Sequence, residues 1–150
     1  MIRIDEVNDT DRDTLESWFV LDIDPDHHDL RANYWYTGAH GTYLCFKMAD
    51  DKGPIMYVRM ERVEADMCRF HAQFAPAGVV SKERLIQAMM LAFEIMKPQL
   101  KEDGFNGMIT MTKFPLLAAW LMKYQKFVRF EQTDNYKLVF ATEIAGSTGA

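Results

Sequence analysis

The sequence lacks the features that mark membrane, secreted and nucleic-acid-binding proteins. It has no apolar run near the roughly 18 residues that a membrane-spanning helix needs. Its first residues, MIRIDEVNDTDRD, are polar and acidic, so we expect no signal peptide. It also has no basic run, and its formal net charge of −5 at pH 7 argues against a broad nucleic-acid surface. A local cationic pocket remains compatible with that charge.

Cysteine is scarce as well, with only Cys45 and Cys68 in 150 residues. Both lie in segments with the alternation of strands, and we expect buried reduced thiols rather than a disulfide. The reduced state is typical of the cytoplasm. The sequence therefore favours a cytoplasmic protein that binds neither nucleic acid nor a membrane.

What is present is the composition of an ordinary globular domain. Hydrophobic residues make up 49% and charged residues 26% of the chain. A chain of 150 residues is long enough to bury a core, and no repeat or linker divides it. We expect one domain over residues 1–144, followed by a small, polar and disordered tail at 145–150.

The stretch at residues 68–97, CRFHAQFAPAGVVSKERLIQAMMLAFEIMK, changes from the period of a strand to that of a helix. Along CRFHAQF the side chains alternate, which places His71 on a polar face. After the loop PAG the apolar residues recur at helical spacing, and Ser81 is in position to cap the helix. A loop that leads into a helix start favours anions, because the positive end of the helix dipole lies there.

The other elements follow from the same periodicities. Strands are predicted over residues 2–7, 42–48, 55–63, 68–74 and 107–112, with a closing hairpin of 127–132 and 136–140. Helices are predicted over 14–21 (capped by Thr10 or Asp13), over 28–36, from Ser81 to an end or kink near Pro98, and over 115–124. The strands between 42 and 74 should form an antiparallel meander. The strand at 107–112 should run parallel to the one at 68–74.

This order of elements is similar to that of the GCN5-related N-acetyltransferase (GNAT) superfamily over nearly the whole chain. The resemblance is carried by CRFHAQFAPAGVVSKERLIQAMM, and then by GMITMT, FPLLAAWLMKYQKFVRFE and NYKLVF. It implies an α+β fold in α/β/α layers, with a mixed, mostly antiparallel seven-stranded sheet and helices on both faces. It also implies an acyl-CoA-dependent N-acyltransferase that transfers acetyl from acetyl-CoA, or another acyl group, by direct attack of an amine in a ternary complex.

The resemblance also implies where the cofactor binds. In the family, amides of the loop after the central strand bind the pyrophosphate of acetyl-CoA, and the pantetheine arm lies between two parallel strands that splay apart. The residues implied are Phe74, Pro76, Ala77, Gly78, Val79, Val80, Ser81 and Lys82. The family pattern places an arginine or glutamine before two nearby glycines, whereas this loop is shorter and has one glycine. A catalytically degenerate GNAT-fold binding or assembly module without cofactor is therefore the alternative.

The transfer reaction needs a base, because an amine attacks a thioester only when it is deprotonated. His71 is the first candidate for this base and Glu61 the second. The same polar face can equally be a set of charge pairs, for example Glu61 with Arg69. The resemblance further implies a tyrosine near the end of the last helix that protonates the leaving thiolate. Met122 aligns with that position, and Tyr124, roughly 200° round the helix, is the nearest tyrosine.

The acidic turn DIDPDHHD at residues 22–29 indicates a solvated turn with helix-capping aspartates. Its place in the resemblance borders the acceptor site, where its negative charge would attract a cationic amine. Its adjacent histidines are weak evidence for a metal site, because ligands must converge in space, and we predict no metal. The expected partner is a small-molecule or peptide amine, and a homodimer stays open.

Overall fold

The computed structural model follows the periodicity of the sequence closely, and it describes residues 1–21, 42–64, 66–112, 114–132 and 136–141. The order of elements there is β1 (Arg3–Glu6), α1 (Asp11–Leu21), β2 (Thr42–Asp50), β3 (Gly53–Glu64), β4 (Met67–Phe74), α2 (Lys82–Glu102), β5 (Gly107–Thr112), α3 (Pro115–Tyr124), β6 (Val128–Gln132) and β7 (Tyr136–Ala141). The predicted helix at 28–36, the acidic turn at 22–29 and the tail at 145–150 lie outside the described residues. None of the described helices has the length and apolar character needed to cross a membrane.

The strands form a seven-stranded sheet in the order β1-β2-β3-β4-β5-β7-β6. Antiparallel pairing joins β1 to β2, β2 to β3, β5 to β7 and β6 to β7. The pair of β4 and β5 is parallel, as the sequence predicted for the strand after the long helix. The predicted fold class, an α+β protein with a mixed and mostly antiparallel sheet of seven strands, is therefore confirmed.

The chain divides into two compact units. The first comprises Met1–Glu61 and His71–Ala92, and the second comprises Arg62–Phe70 and Phe93–Ala150. The sequence predicted one domain over residues 1–144. Residue 144 lies outside the described residues, so this single domain stays a prediction.

In the first unit, β3 is buried on both faces. Successive side chains of a strand point to opposite faces, and here both Val58 on one face and Tyr57 on the other have no exposed surface. Leu15 and Trp18 of α1 pack against Tyr57, with the Trp18 and Tyr57 ring centroids 5.2 Å apart. Helix α1 thus covers the face of β3 that carries Tyr57.

Helix α1 begins earlier than predicted because a different residue caps it. The side-chain Oδ1 of Asn8 accepts a hydrogen bond from the amide of Thr10 at 3.0 Å. In return, Oδ2 of Asp11 accepts from the amide of Asn8 at 2.9 Å. This reciprocal arrangement is a capping box. The predicted cap, Thr10 or Asp13, is therefore wrong.

In the second unit, aromatic rings surround Phe93 of α2. Its ring centroid lies 5.3 Å from that of Phe70 on β4, 6.1 Å from that of Trp120 on α3 and 6.0 Å from that of Phe127. Phe70, Phe93 and Phe127 are buried. These contacts bury apolar surface from two helices and a strand in one cluster, which is the usual source of stability for a small core.

Helix α2 does not end near Pro98 but continues through it to residue 102, so the predicted end is wrong and the alternative, a kink, stays a prediction. The helix ends in a Schellman motif, in which Gly104 has the left-handed φ of 85° and the amide of Phe105 donates to the carbonyl of Leu100 at 3.0 Å. Leu100 and Phe105 are buried. Burial of these two side chains offsets the hydrogen bond that proline cannot make.

Candidate functional site

The candidate cofactor loop, which joins β4 to α2, lies wholly in the first unit. β4 ends at Phe74, and the amide of Ala75 donates to the carbonyl of Ile55 on β3 at 3.0 Å. A turn follows, in which the amide of Val79 donates to the carbonyl of Pro76 at 3.0 Å. The loop is therefore held to β3 at its first residue and closed by its own turn after that.

The one glycine of the loop is required by the backbone of this turn. Gly78 has a φ of 87°, in the left-handed region that favours glycine. A Cβ built there would meet no described heavy atom within 4 Å, so the requirement is conformational and not steric. The neighbouring Val79 is 59% exposed. The apex of the loop thus faces solvent with open space around its backbone.

The start of α2 has the features of an anion site. Ser81 is the cap that the sequence predicted, since its Oγ accepts from the amide of Arg84 at 3.2 Å and its carbonyl accepts from the amide of Leu85 at 3.0 Å. The first-turn amides of Lys82 and Glu83 have no acceptor within the helix. Such amides, together with the helix dipole, suit a phosphate group. The residues present therefore fit a diphosphate, chiefly through the backbone.

The arginine of this first turn is bound to a carboxylate. Nε of Arg84 donates to Oδ2 of Asp50 at 2.7 Å, and its Nη2 donates to Oδ1. The hydrogen bond from Arg84 holds the pKa of Asp50 below its ordinary value. This ion pair joins the end of β2 to the start of α2. Lys82 is the exposed cation of the loop.

The parallel ladder between β4 and β5 lies in the second unit, where it joins Met67 to Gly107, Cys68 to Met108 and Arg69 to Ile109. The splayed strands that the resemblance implies stay a prediction.

Three polar side chains meet on one face of β3 and β4 in the first unit. Nε2 of His71 lies 3.0 Å from Oε1 of Glu61, and Nη1 of Arg59 donates to Oε2 of Glu61 at 3.0 Å. An ionised carboxylate can only accept, so the ring donates through its Nε2–H. The exposed fraction of the side chain rises from 1% for Arg59 to 12% for Glu61 and 23% for His71. His71 is therefore the outermost of the three.

Glu61 is held as a carboxylate. Burial alone would raise the pKa of Glu61, but the hydrogen bonds from His71 and Arg59 outweigh it, and the pKa lies below its ordinary value. The structure thus brings together the two candidates for the base, His71 and Glu61. It also shows Arg59 as a partner of Glu61, and the pair of Glu61 with Arg69 stays a prediction.

Tyr124 lies in the second unit, at the last residue of α3, and it is 59% exposed. Its ring centroid is 6.0 Å from that of Trp120, and Nζ of Lys123 lies 5.2 Å from its centroid. Met122, which aligns with the tyrosine of the family, is half-buried. The contacts of Tyr124 are those of a packed surface ring, and its role in proton transfer stays a prediction.

Sequence reasoning missed a buried polar cluster under α1. Both oxygens of Asp11 accept from Nζ of Lys47, at 3.0 and 2.9 Å, and Oδ1 also accepts from the hydroxyl of Tyr57. Burial alone would raise the pKa of Asp11, but hydrogen bonds from Tyr57, Asn8 and Lys47 outweigh it and lower the pKa. Burial and the carboxylate of Asp11 raise the pKa of Tyr57. The one local signal was the alternation of Tyr57, Arg59 and Glu61 in β3, which does not identify their partners.

The cysteines do not form a disulfide with each other. Cys45 lies opposite Arg59 in the register of β2 and β3, and burial raises its pKa to about 12, so it is a neutral thiol. Within the described ranges, no group of three or more histidine, cysteine and carboxylate side chains is arranged to hold a metal ion. The histidines of the acidic turn lie outside those ranges.

Comparison with known proteins identifies the fold through structure and not through sequence. No family model matches the chain, and no curated protein matches it. A GNAT-family acetyltransferase from Staphylococcus aureus Mu50 is 16% identical with a TM-score of 0.66, over 94% of this chain and 99% of that one. The ribosomal-protein-S18-alanine N-acetyltransferase from Escherichia coli is 14% identical with a TM-score of 0.65, over 95% of this chain and 93% of that one.

A third similar structure was solved with the cofactor that the resemblance implies. The Campylobacter jejuni N-acetyltransferase PseH, in complex with acetyl coenzyme A, is 14% identical with a TM-score of 0.60, over 94% of this chain and 99% of that one. At these identities the likeness concerns the fold alone. Because the matches cover nearly all of both chains, the chain has the GNAT fold, as the order of elements in its sequence predicted.

Proposed function

We propose that the chain is an acyl-CoA-dependent N-acyltransferase that transfers an acyl group, acetyl in the simplest case, to an amine. The observation that carries this proposal is the turn at Gly78 followed by the capped start of α2. This loop occurs in a fold shared with acetyltransferases, one of them solved with acetyl coenzyme A. The acceptor is a small-molecule or peptide amine in the cytoplasm. The formal net charge of −5 favours a cationic acceptor.

The loop residues named from the sequence would hold the diphosphate of the cofactor through backbone amides. Gly78 gives the turn its left-handed backbone, and Ser81 caps the helix so that the first-turn amides of Lys82 and Glu83 face outward from its end. Binding through amides does not depend on side-chain identity, which is how a loop with one glycine can retain it. Acetyl-CoA supplies the acyl group in an activated form, as a thioester.

The polar face of β3 and β4 supplies the base. His71 or Glu61 takes the proton of the attacking ammonium, directly or through a water molecule, because only the neutral amine is nucleophilic. The nitrogen–carbon bond then forms as the carbon–sulfur bond breaks, with both substrates bound together. Tyr124 keeps its proposed role as the group that returns a proton to the leaving sulfur.

Calorimetric titration with acetyl-CoA tests the proposal. We expect saturable binding of one ligand per chain with a Kd below about 1 mM, the usual upper range for enzyme substrates. Absence of binding at millimolar acetyl-CoA would contradict the proposal.

A matched pair of variants at Gly78 locates the binding. Asparagine and aspartate have the same shape and both tolerate a left-handed backbone, but only aspartate adds a negative charge beside a diphosphate. We expect Gly78→Asp to weaken acetyl-CoA binding about tenfold or more relative to Gly78→Asn, because like charges repel at this range. Equal affinities would place the diphosphate elsewhere.

A second candidate function is a binding or assembly module that keeps the fold without a cofactor. It is favoured by the engagement of Arg84 with Asp50 and by the exposed side chain of Val79 at the loop apex. This candidate predicts that Gly78→Asp leaves partner binding unchanged. Loss of a measurable acyl transfer in that variant would exclude it.

A further inference from the structure

We propose that Arg59 is a positioning residue that fixes Glu61 as the orienting partner of His71, so that His71 is the base and Glu61 is not. This inference rests on the proposed N-acyltransferase function and deepens it, since it gives separate roles to the two residues that the sequence offered as alternatives. All three side chains belong to the first unit of the chain.

The first step is the burial of Arg59. Its side chain is 1% exposed, and Nη1 donates to Oε2 of Glu61 at 3.0 Å. A guanidinium stays charged at every accessible pH, and a buried charge is tolerated only when it is paired. Arg59 therefore favours the ionised form of Glu61 and fixes the position of one carboxylate oxygen.

The second step is the orientation of His71. With Oε2 bound by Arg59, Glu61 directs Oε1 to Nε2 of the ring at 3.0 Å. Because a carboxylate only accepts, the ring carries a proton on Nε2, and the basic lone pair of the neutral ring is on Nδ1. A carboxylate orients the histidine of a catalytic triad by the same principle.

The third step decides between the two candidate bases. A general base works best when its pKa is near the operating pH. A carboxylate would need a raised pKa to act as this base. The hydrogen bonds from His71 and Arg59 instead lower the pKa of Glu61 below its ordinary value. The side chain of His71 is also the more exposed, at 23% against 12%. Both observations favour His71.

Other polar groups on this face of the described strands support the same charge state. On β2, Lys47 is bound by Asp11 at 2.9 Å, and Cys45 is a neutral thiol opposite Arg59. Within this unit, the positive charge of Arg59 therefore favours Glu61 as a carboxylate.

Carbon-13 NMR of the Glu61 carboxyl group tests the role of Arg59 without any substrate. The resonance is assigned by its loss in Glu61→Gln. We expect the titration midpoint of Glu61 to rise by about 1 pH unit or more in Arg59→Met, because the neighbouring positive charge is removed. Arg62→Met is the matched control, since Arg62 is exposed, follows Glu61 on the strand and lies 4.2 Å from the ring of Phe105.

An unchanged midpoint in Arg59→Met, or an equal rise in the control, would overturn the inference. If Arg59→Met does not fold, Arg59→Gln gives the same test, because it also removes the positive charge but keeps a polar side chain. We expect the same direction of shift in Arg59→Gln, and no rise there would likewise overturn the inference.

Kinetics of acyl transfer separate the base from the orienting residue. We expect His71→Gln to lower kcat by about 10² to 10⁴, the usual contribution of a general base, and Glu61→Gln to lower it by about 10 to 100. The KM for acyl-CoA should stay unchanged in both, and the double variant should be no slower than His71→Gln.

A larger loss in Glu61→Gln than in His71→Gln would overturn the assignment. If the wild type shows no transfer, the proposed function fails, while the NMR titration still decides the role of Arg59.

Discussion

The strand β3 carries two polar clusters of different character on one face. At Tyr57 it meets Asp11 and Lys47, whose side chains are 3% and 13% exposed. Farther along the strand, Arg59 and His71 both bind Glu61, and His71 is 23% exposed. Both clusters pair buried charges. The difference is that the first is closed from solvent and the second reaches it.

This difference separates a structural role from a chemical one. Burial of charge is tolerated in both clusters because each charged group is paired. In the second cluster a histidine is partly exposed, at 23%. Under the proposed function, this exposure is what would let a substrate reach the cluster. Substitutions in the closed cluster should therefore change stability, and those in the open cluster should change activity.

The largest effect on stability is expected at Asp11. We expect Asp11→Asn to lower the free energy of unfolding by about 3 to 5 kcal/mol, because the charge of Lys47 then stays buried without its carboxylate. Urea unfolding measures the change. Asp9→Asn is the control, since Asp9 is exposed on the same turn, and it should stay within about 0.5 kcal/mol. His71→Gln, in the open cluster, should cost under about 1 kcal/mol. A similar loss at Asp11 and His71 would remove the distinction.

The two clusters also predict how stability depends on pH. The folded-state pKa values of Asp11 and Glu61 are lowered. Their stabilisation is therefore complete above the unfolded pKa values near 4 and is lost as the pH falls through the folded values. We expect the free energy of unfolding to be flat from pH 7 to about 5 and to fall in more acidic buffer. In the Asp11→Asn variant, the free energy of unfolding should fall less over the same acidic range. Curves of unfolding free energy against pH that run parallel in variant and wild type would contradict this.

The order of elements was predictable because it depends on local periodicity and local caps. Ser81 at the start of α2 is an example, since its hydrogen bond joins it to Arg84 only three residues on. The end of α2 was not predictable, because the local cost of Pro98 competes with burial of Leu100 and Phe105. That burial depends on the packing of distant residues.

The candidate site was predictable in part for the same reason. Alternation placed Glu61 and His71 on polar faces, but only the geometry of the strands shows that Glu61 binds both Arg59 and His71. The cluster of Asp11 was out of reach, since its partners lie 36 and 46 residues away in sequence. No local pattern joins positions that far apart.

A smaller effect on stability is expected at the start of α2. We expect Ser81→Ala to lower the free energy of unfolding by about 1 kcal/mol, because the amide of Arg84 loses its acceptor. Ser17→Ala is the control. Ser17 is exposed inside α1, where its Oγ donates to the carbonyl of Thr14, and alanine there should be neutral or slightly stabilising. Equal effects at the two serines would deny that Ser81 acts as a cap.

The smallest effect is a gain in the second unit. Lys126 follows α3 with a left-handed φ of 63°, and the amide of Phe127 donates to the carbonyl of Leu121 at 3.2 Å. Glycine is the preferred residue at such a helix end. We expect Lys126→Gly to raise the free energy of unfolding by about 0.5 to 1 kcal/mol. Lys126→Ala keeps the Cβ and should show no gain, so an equal gain in both would point to charge and not to backbone conformation.

The central claim is that the amides between Gly78 and the first turn of α2 bind the diphosphate of an acyl-CoA. Amide chemical shifts recorded by nitrogen-15 NMR during titration with acetyl-CoA test it most directly. The account predicts that the largest shifts occur at residues 78–83 and saturate together. Absence of shifts at millimolar acetyl-CoA, or shifts that leave this loop unchanged, would contradict it.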